Sequence, residues 1–123
     1  MIIYRIEHIN HPTDGAWGLC GAASRAIVQA YRESTFIASW HPGPDHDKGI
    51  ARYPNLDEFC AFPSLDAYRS WFVTPTVRAA LYDGPAHMVV YTVTHVTARS
   101  MIQCLFRMED VIAKRVATPE EYQ

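Results

Sequence analysis

The apolar positions of the chain switch between a period of two and a period of three to four, and the switches mark the elements. Residues 1–9 alternate: Tyr4, Ile6 and His8 fall on one side of a half-buried strand, Arg5 and Glu7 on the other. Two apart on a strand, Arg5 and Glu7 share a side, either as a solvated charge pair or as the floor of a polar site. In residues 19–33, Leu19, Ala22, Ala23, Ala26, Ile27, Ala30 and Tyr31 recur at helical spacing. Residues 35–40 are β-branched and aromatic, which suits a short strand. The 60–72 stretch predicts a strand running into a capped helix. Ser64 can accept a hydrogen bond from an amide of the first turn, and Asp66 places negative charge at the positive end of the helix dipole. Leu65, Tyr68, Trp71 and Phe72 then form one stripe, the expected hub of the core.

Thr74 followed by Pro75 reads as a second helix start, Val77, Ala80 and Leu81 as its apolar stripe, and Gly84-Pro85 as its stop. Residues 88–96 carry Val89, Tyr91 and Val93 on one face and Met88, Val90 and Thr92 on the other, the pattern of a central strand. Residues 101–108 alternate again, and 97–100 is long enough to join the two as an antiparallel hairpin. An edge strand at 111–116 is protected by Lys114 and Arg115. The expected architecture is α+β: a mostly antiparallel sheet of four to six strands with about three short helices, near 19–33, 64–73 and 75–83. One domain covers 1–117, and 118–123 is a polar C-terminal tail.

Composition narrows the function classes. A chain of 123 residues, 49% apolar and 20% charged, supports one core without staples. A net charge of −2 with interspersed signs argues against phosphate-backbone binding, so no nucleic-acid partner is expected. Cys20, Cys60 and Cys104 match no zinc or redox spacing and sit in apolar runs, as buried thiols of a reducing compartment do. No segment reaches the apolar length of a membrane span and none reads as a leader, so the expected location is the cytoplasm, with no membrane partner.

The least regular stretch is 41–50, where two prolines and two glycines exclude regular structure while His41, Asp45, His46 and Asp47 crowd together. Imidazoles and carboxylates are metal ligands, but this spacing matches no structural zinc motif; a polar ligand or partner loop and a plain surface turn are the other readings, and no metal is assigned. Trp17, in a turn-rich stretch, and Trp40 and Tyr53, flanking this loop, are the aromatics expected at a contact, because aromatic side chains concentrate binding energy. No nucleophile elbow, phosphate loop, dinucleotide fingerprint or metalloprotease motif is present.

Taken together, Tyr4-Arg5-Ile6-Glu7-His8, His41-Pro42-Gly43-Pro44 with Asp47-Lys48-Gly49-Ile50, Cys60-Ala61-Phe62-Pro63-Ser64 running to Trp71-Phe72, Tyr91 and residues 103–106 resemble a group of small uncharacterised accessory proteins of bacteriophages and prophages. That resemblance implies action by binding, with a protein of the bacterial host as partner and no cofactor. An edge strand also allows pairing with a second copy. The order of elements is similar to compact ADP-ribosyltransferase domains as well. This second resemblance implies an NAD-dependent transferase, with Arg5 or His8 on the first strand, Ser64 or Phe62 before the helix, and Gln103 or Glu109 at the carboxylate position. Gln103 cannot act there as a base, which leaves Glu109.

Overall fold

The computed structural model describes residues 1–8, 44–72, 75, 76, 78, 79 and 86–123. In chain order they form β1 (Ile2–His8), β2 (Glu58–Ala61), α1 (Leu65–Trp71), β3 (Ala86–Val93), β4 (Ala98–Arg99), β5 (Cys104–Arg107), a 3-10 turn (Met108–Asp110), β6 (Val111–Val116) and α2 (Pro119–Tyr122). Both sheets are antiparallel and three-stranded, ordered β1-β3-β6 and β2-β5-β4. The fold is α+β, with the six strands of the described residues divided between two sheets rather than gathered into one.

Alternation along β3 explains the layering. Met88 and Val90 join Ile6 of β1 in one core cluster with Tyr68, Phe72 and Tyr122. Val89, Tyr91 and Val93, with Ile3, enter a second cluster with Ala61, Cys104 and Phe106 of the other sheet. The first sheet is therefore sandwiched between α1 with α2 on one face and the second sheet on the other. A strand covered on both faces must be apolar at odd and even positions alike, as β3 is. Tyr4 and Phe62 tie the sheets together by reciprocal backbone bonds, Tyr4 N to Phe62 O at 2.9 Å and Phe62 N to Tyr4 O at 2.6 Å.

The helix start is as the sequence implies. Ser64 is the N-cap, its Oγ accepting from Ala67 N at 3.0 Å, and Asp66 lies in the first turn. Tyr68 and Phe72 are fully buried, while Leu65 and Trp71 flank the same cluster. The Phe62 ring makes edge contacts with Tyr68, Trp71 and Phe72 at 5.8–5.9 Å between centroids. Pro75, Thr76, Arg78 and Ala79 are helical, within the expected 75–83 segment.

Three expectations need correction. Residues 88–96 and 101–108 do not form a hairpin: β3 pairs with β1 and β6, whereas β5 pairs with β2 and β4. The second of these strands is short because Ser100 Oγ accepts from Ile102 N and Gln103 N, and Ser100 N donates to Gln103 O, which turns the chain before Cys104. Arg5 and Glu7 are not a solvated pair but lie between the sheets, 6% and 2% exposed. The 118–123 stretch is not a free tail. Thr118 and Glu121 make a reciprocal capping box, and Tyr122 is buried in the first cluster. The expected 19–33 helix and 35–40 strand, and with them Cys20, lie outside the described residues. Among the described residues no helix is long and apolar enough to cross a membrane.

Candidate functional site

The best-defined local construction is the 52–58 loop, and its centre is a buried carboxylate. Glu58 opens β2 with its side chain fully covered. Arg52 grips it with both terminal nitrogens, Nη1 to Oε1 at 2.7 Å and Nη2 to Oε2 at 2.8 Å. Asn55 N donates to Oε1 at 2.8 Å, and the Thr97 hydroxyl donates to Oε2. The Arg52 fork, followed by the Thr97 and Asn55 donors, holds the Glu58 carboxyl far below the usual carboxylate range, against the opposing effect of desolvation. Two further bonds close the loop: Arg52 Nη1 to Tyr53 O at 3.1 Å and Glu58 N to Asn55 O at 3.0 Å. Ala51, at φ 57°, turns the chain into it through the left-handed region.

The loop backbone is thus fixed by its own side chains, while two apolar side chains on it point into solvent. Tyr53 is 74% exposed and Leu56 entirely so. Tyr53 was legible in the sequence; Leu56, Arg52 and Glu58 were not. Their signal is an Arg and a Glu flanking a Tyr-Pro-Asn-Leu-Asp turn.

Asp47 braces the preceding turn in the same manner. Its Oδ1 accepts from Gly49 N at 3.0 Å, and its Oδ2 accepts from Ser100 Oγ at 2.5 Å and Gln103 Nε2 at 3.0 Å. Gly49 is required by the close approach of the two turns, since a Cβ there would stand 2.6 Å from Ser100 Cβ. Asp47 is therefore a buried bracket, whereas Asp45 and His46 form an outward pair at 3.1 Å, with the imidazole 81% exposed. Among the described residues no three His, Cys, Asp or Glu side chains come together as a metal site. Trp17, Trp40 and His41 lie outside the described residues. An open groove of about 620 Å³ runs past Gly49, Arg99, Ser100 and Met101.

The residues singled out by the transferase resemblance fall into separate networks. The Arg5 guanidinium lies 5.2 Å over the Phe59 ring, donates to Cys60 O at 2.5 Å, and places Nε 3.4 Å from Glu7 Oε1. Glu7 in turn accepts from the Tyr91 hydroxyl, whose ionisation is pushed up by burial first and by that carboxylate second. His8 ends β1 opposite Ala86. Ser64 commits its oxygen to the helix cap, Phe62 to the ring cluster and Gln103 to Asp47, and Glu109 is exposed on the 3-10 turn. Burial raises the thiol of Cys60 and carries that of Cys104 to about 12, so both remain protonated at neutral pH.

A family model described as Bacteriophage T4 Y00F protein matches residues 1–120. The chain belongs to that family. No curated protein and no solved structure matches it. The matched span contains both sheets, α1 and the whole 52–58 loop, so the Arg52–Glu58 clamp and the side chains it displays lie within the family region.

Proposed function

We propose that this phage-family protein works by binding a protein of the bacterial host and modulating or inhibiting it, with the 52–58 loop as a principal contact. The observation that carries the reading is the display of Tyr53 and Leu56 on a backbone already fixed by the Arg52–Glu58 clamp. An ordinary surface loop exposes polar side chains and leaves its backbone to water. Here the Arg52 and Glu58 side chains turn towards each other to hold the loop, while Tyr53 and Leu56 turn outward. A preorganised aromatic side chain loses little conformational freedom on docking and brings a large apolar area, the properties of an interface hot spot.

The test is affinity capture from host lysate with the wild-type chain and with a Tyr53→Ala/Leu56→Ala variant of equal thermal stability. A host protein captured in stoichiometric amount by the wild type and lost with the variant supports the reading. Identical recovery with both chains, or none with either, sinks it.

A further inference from the structure

We propose that the groove along the 99–102 turn takes an extended segment of the protein partner in which a carboxylate stands beside an apolar side chain, with Arg99 holding the acid. This deepens the binding reading above and rests on it. Two open cavities, of about 620 and 430 Å³, share Arg99, Ser100, Met101 and Ile102 as lining. The first runs on to the Asp47–Gly49 turn and the second to Pro63 and Ala67 at the start of α1. The Thr97 hydroxyl, two residues before Arg99, donates to Glu58, which links this groove to the base of the 52–58 loop.

The turn is braced before anything binds. Ser100 Oγ accepts from Ile102 N and Gln103 N, each at 3.2 Å, and donates to Asp47 Oδ2, while Ser100 Cβ leaves no room for a side chain at Gly49. On this fixed backbone Met101 is 90% exposed. The occupant's charge follows from which polar groups are already engaged. Asp47 is taken up by Gly49 N, Ser100 Oγ and Gln103 Nε2. Asp66 faces Arg69 at 3.6 Å, and Asp45 faces His46 at 3.1 Å. Ser64 accepts from Ala67 N, and Ser70 donates to Ala67 O. Arg99 and Lys48 are exposed, and among the described residues neither has an ion-pair partner. The carboxylates along the groove are thus matched within the chain and the two cations are not, so the complementary occupant is an acid. A guanidinium takes a carboxylate through two parallel hydrogen bonds, and the flexible thioether of Met101 adapts to a neighbouring apolar side chain.

Selection of a random peptide library on the immobilised full chain tests this, followed by fluorescence anisotropy of the enriched peptides. Enriched sequences should carry Asp or Glu close to an apolar residue. Arg99→Ala in the protein, or the corresponding amide in the peptide, should each weaken binding about tenfold, and Met101→Ser should weaken it as well. Arg99→Glu should turn the selected charge from acidic to basic, a reversal that a merely structural role would not produce, and circular dichroism should show its fold intact. No enriched peptide, enrichment without an acidic bias, or the same acidic sequences on Arg99→Glu would each overturn the proposal. Host capture that depends on Tyr53 and Leu56, without acid selection here, would overturn the groove and leave the binding reading standing. Acid-selective peptides that need Arg99, with no host protein captured, would support the groove and count against the loop.

Discussion

Arg52 and Glu58 face each other across the 52–58 loop through two parallel hydrogen bonds of 2.7 and 2.8 Å, and the carboxylate is covered while the guanidinium is partly exposed. Geometry, rather than charge alone, holds this pair, since a planar fork meets both carboxylate oxygens and an ammonium cannot. Arg52→Lys should therefore lower the melting temperature, and Arg52→Ala should lower it further by leaving the Glu58 charge without its main partner. Both should also reduce capture of a host partner, because Tyr53 and Leu56 lose their fixed backbone. Thermal melts and lysate capture on the same preparations check the order.

Arg5 lies over the Phe59 ring, between the sheets. Removing it leaves Glu7 buried with the Tyr91 hydroxyl but without its cation. Arg5→Ala should accordingly destabilise the fold by about 3 kcal/mol, the scale for breaking a buried pair, rather than behave as a surface substitution. Urea denaturation measures this. A nucleotide that used Arg5 would have to displace Phe59 and the Cys60 carbonyl, so titration with NAD should give neither heat nor a rise in melting temperature. A melting-temperature rise at millimolar NAD would contradict that expectation.

Where a local pattern had one physical solution, the sequence was sufficient. Ser64 followed by Asp66 and the Leu65, Tyr68, Trp71, Phe72 stripe gave α1 and its buried face, and the doubly apolar alternation of 88–96 gave a central strand, observed at Ala86–Val93. Pairing was not legible. Residues 97–100 are compatible with a hairpin, and only the competition of β1 and β6 for the two edges of β3 sends β5 to another sheet. For the same reason Arg5 and Glu7 looked like surface charges. Alternation shows that they share a face, but not that a second sheet covers it. Glu58 escaped notice because a lone Glu among polar neighbours resembles any solvated one, and its burial depends on Arg52 and Asn55 folding back on it within the loop and on Thr97 reaching it from a distant part of the chain.

Tyr122 anchors the last helix from both ends of its residue. Its hydroxyl accepts from Met88 N on the central strand, and its carbonyl accepts from the Tyr68 hydroxyl at 2.8 Å. Tyr122→Phe should cost about 1–3 kcal/mol, the range for a buried amide left without an acceptor. Tyr122→Ala, which also opens a cavity beside Tyr68 and Phe72, should cost about 3–5 kcal/mol. Denaturant titration of the two variants separates the hydrogen bond from the packing. Equal, small losses would show that 118–123 contributes little to the core.

Acid should destabilise the protein over a defined window. Glu58 is held far below its ordinary value of 4.5 by Arg52, Thr97 and Asn55, and Glu121 is lowered to about 2, chiefly by Arg115. A carboxylate whose folded value lies below its unfolded value binds fewer protons in the native state. Its stabilisation is thus fully present above the unfolded value and is lost as pH falls toward the folded one. The melting temperature should hold through neutral pH, begin to fall below about pH 5, and continue falling to about pH 2. Glu121→Gln should remove a small part of that slope and lower the neutral-pH plateau by the same small amount, since Arg115 is largely exposed and such pairs contribute little. Glu58→Gln should lower the plateau itself and flatten the acid limb, because the buried clamp is lost at every pH. Melts of the three proteins from pH 7 to pH 2 decide the assignment, and an acid limb of unchanged slope in Glu58→Gln would transfer the effect to other carboxylates.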